Sequence, residues 1–158
     1  MLSRDYEEFL ESLNAHGVRY LVVGAHAVAL YARPRATQDL DIYIEPTQEN
    51  AEQVLASIRS FFSGSDLTFT VEDLLAPDLI VQLGVAPLRI DLLSKLAGDL
   101  SFRRAWDARV DSRFGAVDTH YISLEDLIHE KEIAGRDQDR ADLAALRQAK
   151  RLGRSPRS

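Results

Sequence analysis

The 158-residue chain contains no cysteine. Disulfide frameworks, thiolate metal sites and thiol nucleophiles are therefore excluded together, leaving histidine and carboxylates to hold a metal or move a proton. A basic excess is missing as well. The 19 Lys and Arg stand against 25 Asp and Glu, a formal charge of −6, so a broad electrostatic grip on duplex DNA is not expected. That balance still leaves room for a local basic pocket for a polyphosphate, and arginines gather at "RPR" and near the C-terminus. Long apolar runs are lacking too: the longest, "YLVVGAHAVALYA", is interrupted by His26 and falls short of a bilayer span of about 18 residues. The opening "MLSRDYEEFLESL" carries four acidic residues and no small-residue cleavage signature, which argues against a secretory signal. These absences predict a cytoplasmic protein with no membrane partner. What is present, 46% hydrophobic residues, suffices for one core; the expectation is a single domain over 1–150 and a basic, flexible tail over 151–158.

Periodicity assigns most of the chain. Tyr6, Phe9, Leu10 and Leu13 fall at helical spacing between Ser3 and Gly17, predicting an amphipathic helix over 3–16. "VRYLVV" (18–23) reads as a buried strand, Gly24 opens a short helix, and "DLDIYI" (39–44) is a strand after the "RPRATQ" loop. A second amphipathic helix follows over 49–62. Residues 79–84 and 88–93 predict a hairpin closed at "VAP". "GDLSFRRAWDARV" is expected to be helical in part and "THYIS" to form a short strand. Ser123 begins a capping box for a helix reaching about 136, and a last helix covers about 138–150. Together these predict an α/β (α+β) fold with a mixed sheet, helices mainly on one face and a C-terminal helix pair. Lys131 is out of place there. It lies seven residues from Leu124 on the apolar face, so it either lifts its ammonium to water over the core or meets a carboxylate or phosphate.

The acids carry the chemistry. In a strand, residues two apart share a face, so Asp39 and Asp41 point one way while Leu40, Ile42 and Ile44 point the other. Asp91, in "LRIDLL", alternates with apolar neighbours in the same manner. Three carboxylates in one cleft repel; a hard divalent cation with oxygen ligands, Mg²⁺ above all, relieves this and keeps sites open for phosphates. Metal-assisted phosphoryl or nucleotidyl transfer follows. Gly24 fits, because a residue without Cβ lets backbone approach a phosphate and the helix after it offers free N–H groups. Other chemistries fit poorly. The Asp-x-Asp begins a strand, where a haloacid-dehalogenase-type phosphatase has its nucleophile at a strand's end, and "HEKEI" from His129 lacks the second histidine of a zinc hydrolase.

"VGA", with thirteen residues between Ala25 and Asp39 of "DLDI", resembles the signature of the minimal nucleotidyltransferases of the polymerase-beta-like superfamily. With "RIDLL" and "LIHEKEIAGRDQDRADL" the chain is most similar to the AbiEii-type toxin nucleotidyltransferases, over roughly residues 18–146. The resemblance implies transfer of a nucleoside monophosphate from an NTP to a hydroxyl on a protein, a tRNA end or a small molecule. It implies Asp39, Asp41 and Asp91 as ligands of Mg²⁺ or Mn²⁺, with Asp91 also the general base. Gly24 and Ala25 would line the triphosphate beside Arg35 and Thr37, and Lys131 and Arg136 would be phosphate or acid partners. Ala25 departs from the usual Ser or Gly and forgoes a hydroxyl donor, worth about 1 kcal/mol. The alternative is a catalytically weak, antitoxin-like binding module on the same fold.

Overall fold

The computed structural model describes residues 2–32, 39–62, 67–84, 89–153 and 156. The expected loop at 33–38, with Arg35 and Thr37, the break at 64–66 and the "VAP" turn lie outside the described residues, as does half of the expected tail.

The first helix, α1 (Leu2–Ala15), buries Tyr6, Phe9, Leu10 and Leu13 on one face. It stops where Gly17 takes φ +66° and Val18 N–H donates to the Leu13 carbonyl. Then come β1 (Tyr20–Val23), α2 (Gly24–Tyr31), β2 (Asp39–Ile44) and α3 (Gln48–Phe62). The buried Asn50 near the start of α3 donates to the carbonyls of Arg19 and Glu45, pinning the helix to the ends of β1 and β2. A one-turn helix, α4 (Val71–Leu75), precedes the hairpin β3 (Ile80–Leu83) and β4 (Arg89–Leu93). The remainder is α5 (Phe102–Asp107), β5 (Val110–Phe114), β6 (Val117–Tyr121), α6 (Leu124–Ala134) and α7 (Asp137–Arg151). None of the described helices is long and apolar enough to cross a membrane.

Two elements were not expected, α4 and β5. The first is set by a capping box: the Thr70 hydroxyl accepts from Asp73 N–H while the Asp73 carboxylate accepts from Thr70 N–H. The second is the partner of β6, to which it is joined through Gly115.

The six strands form one mixed sheet in the order β3-β4-β2-β1-β6-β5. β2 runs antiparallel to β1 but parallel to β4, and β1 runs parallel to β6. The fold is thus a mixed α/β one, with the α6–α7 pair at its C-terminal end. Leu40, Ile42 and Ile44 are at most 1% exposed on the face of β2 that belongs to the core. The Tyr20 hydroxyl, on the same face of β1, donates to Asn14 of α1, and reciprocal Ser12–Ser57 hydrogen bonds lock α1 to α3. On the opposite face Tyr43 packs on Phe102 of α5, and beyond it Asp41 and Asp39 leave the core.

Candidate active site

Strand pairing brings the acids together. β2 and β4 run parallel with Asp41 opposite Asp91 and Asp39 opposite Arg89, so all four side chains share the non-core face. Asp41 and Asp91 are within hydrogen-bonding reach of each other, and Gln82 of β3 donates to Asp91 Oδ1 at 3.1 Å. Burial, then the charges of Asp91 and Asp39, push the Asp41 carboxyl up to about 6. Asp39 is engaged otherwise: Arg89 Nε lies 3.4 Å from its Oδ1, with both side chains about two-fifths exposed. Among the described residues no group of three or more His, Asp or Glu side chains is gathered closely enough to hold a metal ion. Two carboxylates meet, and the third stands one step along the strand against an arginine.

Gly24 closes one side of the site. Its φ is +67°, and a Cβ built there would overlap Asp41 Oδ2, so both conformation and space call for glycine. Val23 gives α2 no side-chain cap, which leaves the first N–H groups of the helix untaken by one. His26 does not line this side. Its ring packs against Tyr6 and Phe114, and burial lowers its pKa.

These residues border a cleft of about 350 Å³. Gly24, Asp41 and Asp91 line one part of it; Glu130, Lys131 and Arg136, from α6 and the turn after it, line another. Val23, Ile80, Leu93, Leu96, Ala97 and Ala134 supply its apolar lining. The cleft thus joins three carboxylates, a glycine bend, a lysine, an arginine and apolar side chains, and it has room for a phosphate. Asp41 and Asp91, two adjacent carboxylates, are a hard-oxygen donor pair suited to a divalent cation.

Lys131 meets carboxylates. Its Nζ lies 3.1 Å from both Asp139 Oδ1 and Asp142 Oδ2, with its side chain 5% exposed. Arg136 grips Asp139 as well, with Nε 2.9 Å from Oδ2, and it is close enough to Asp41 to favour that carboxylate's charged form. Ala25 is half-buried beside the bend and is not part of the cleft lining. Sequence reasoning missed Asp139, Asp142 and Glu130. The signal was present: Asp139 and Asp142 share the stripe of Leu143 and Leu146, and all four are buried on α7, so they mirror the anomaly of Lys131.

Over residues 2–154 the chain matches the family model described as "Nucleotidyl transferase of unknown function (DUF2204)". No curated protein matches the chain.

Proposed function

Because this chain belongs to that family of nucleotidyl transferases, we propose that its cleft moves a nucleoside monophosphate from an NTP to a hydroxyl acceptor with the help of Mg²⁺ or Mn²⁺. One observation carries the reading: Asp41 and Asp91 stand in register on parallel strands, beside a glycine whose φ and closeness to Asp41 disfavour any larger residue.

In this reading Asp41 and Asp91 hold the cation, with Asp39 next along the strand. A bound cation would supply charge stabilisation at the attacking and leaving oxygens. Gly24 and Ala25 let the phosphates approach the start of α2, Arg136 faces them from the α6–α7 turn, and Arg35 and Thr37 belong to the same phosphate seat by resemblance. Asp91 accepts the proton of the acceptor hydroxyl as the oxygen attacks the α-phosphorus and pyrophosphate leaves. The acceptor is a protein side chain, a tRNA end or a small molecule. The charge of −6 makes long RNA the poorest fit of these. A toxin–antitoxin role in the cytoplasm is the setting that the AbiEii-like string suggests.

Incubation with each labelled NTP, Mg²⁺ and whole-cell lysate tests the reading. Wild-type protein should label an acceptor and Asp41→Asn should label none; normal labelling by that variant would overturn the site. The Arg89–Asp39 pair favours a second reading, a binding module that takes nucleotide without turnover. Saturable NTP binding with no label transferred to any fraction would select it.

A further inference from the structure

At the end of α6 Gly135 turns left-handed, and the next residue, Arg136, starts α7. Four hydrogen bonds converge on the carboxylate of Asp139, whose side chain is fully buried. Lys131 Nζ donates to Oδ1 at 3.1 Å, Arg136 N–H to Oδ2 at 3.1 Å, Arg136 Nε to Oδ2 at 2.9 Å and Arg136 Nη2 to Oδ1 at 3.3 Å. One carboxylate therefore ties together the last turn of α6, the turn between the helices and the first turn of α7. The two cations it holds differ in what they have left. Lys131 also borders the cleft, but its side chain is only 5% exposed and its ammonium is shared with Asp142. Arg136 is held along one edge only, its side chain is 59% exposed, and it lines the cleft.

We propose that Asp139 is a positioning residue for the nucleotide: it fixes Arg136 side-on so that the other edge of the guanidinium faces the phosphates, while Lys131 braces Asp139 and does not contact the ligand. The inference rests on the nucleotide reading above. A guanidinium is a planar fork, so orientation decides whether its donors meet phosphate oxygens, and an arginine held in place loses less side-chain freedom on binding than one that swings. A carboxylate on its Nε edge supplies that hold. The depressed pKa of Asp139, about 2, keeps the grip ionised throughout the neutral range.

A double-mutant cycle read by isothermal titration tests this, with Mg²⁺ and each of ATP, GTP, CTP and UTP as probes. Arg136→Gln and Asp139→Asn should each weaken affinity about ten-fold, and adding Asp139→Asn to Arg136→Gln should cost less than about two-fold more, because Asp139 acts through Arg136. In turnover the Asp139→Asn loss should fall on KM and not on kcat. Losses that multiply independently, or wild-type affinity in Asp139→Asn, would overturn the assignment and leave the nucleotide reading standing. No binding of any probe by the wild-type protein would overturn both. Should Asp139→Asn fail to fold, Arg136→Lys carries the test: an ammonium cannot be gripped side-on, so it should bind as weakly as Arg136→Gln, and wild-type affinity there would overturn the proposal.

Discussion

Two groups of charges face each other across one cleft, and they are built on opposite terms. On the α6–α7 side, Lys131, Arg136, Asp139 and Asp142 satisfy one another: the buried lysine meets two carboxylates, and the most deeply buried carboxylate accepts from both cations. On the strand side, Asp41 has been brought against Asp91, and the pair has no lysine or arginine within bonding distance among the described residues. Burial acts against the charged form of both Asp139 and Asp41. Hydrogen bonds from Arg136 and Lys131 overturn it for Asp139 and bring its carboxyl down to about 2, whereas neighbouring charge adds to it for Asp41 and takes the carboxyl up to about 6. The first group is architecture. The second is a deficit that a cation would make good, and uncompensated charge in a cleft marks the place where a protein works on something other than itself.

The contrast can be broken by substitution. The largest change should come from Lys131→Met, which takes a buried ammonium from between Asp139 and Asp142; chemical denaturation should show a loss of about 3–5 kcal/mol. A loss below about 1 kcal/mol would mean that this group is not the structural one. Next comes acid titration. Because the folded-state pKa of Asp139 lies below its ordinary 3.8, the unfolded chain binds more protons in that interval. Its contribution of about 2 kcal/mol is then complete above pH 4 and drains away as the pH falls through 2. Denaturation curves between pH 2 and 5 should show a shallower acid slope in Asp139→Asn than in the wild type. Gly24→Ala should cost about 1–3 kcal/mol, since its Cβ meets both a positive φ and the Asp41 carboxylate, and NTP binding should fall with it. The smallest effect sharpens the comparison most. Asp41→Asn removes charge from the unsatisfied group, so apo stability at pH 8 should hold or rise by about 1 kcal/mol, opposite in sign to Lys131→Met. A clear destabilisation would show that the pair is not under repulsion.

Much of this was legible in the chain, and the limits have physical causes. α1 announces itself because Tyr6, Phe9, Leu10 and Leu13 must all reach one core. Strand alternation was enough to put Asp39 and Asp41 on one face, and Gly24 was marked by its position between strand and helix. Nothing in "DLDIYI" or "RIDLL" says that these strands are parallel neighbours. That Asp91 meets Asp41 while Arg89 meets Asp39 is a fact of register, settled by contacts fifty residues apart. β5 escaped because "VDSRF" alternates only between half-buried and exposed positions and is a strand by virtue of β6. α4 was written in its Thr70 cap, but a five-residue helix offers too few apolar positions to reveal a period. The partners of Lys131 hid in a helix whose charged positions look solvated until its buried stripe is traced.

The pairing of Asp41 with Asp91 has one more consequence. The spacing between the two carboxylates is set by the weave of the sheet itself, one rung from strand to strand, and not by the reach of flexible side chains. Deleting a single residue from the middle of β2 would turn part of the strand over, sending an acid into the oily interior and a leucine or isoleucine toward water. Loss of shape and loss of chemistry would arrive in the same step, so small length changes in this strand offer evolution no gradual trade of one for the other.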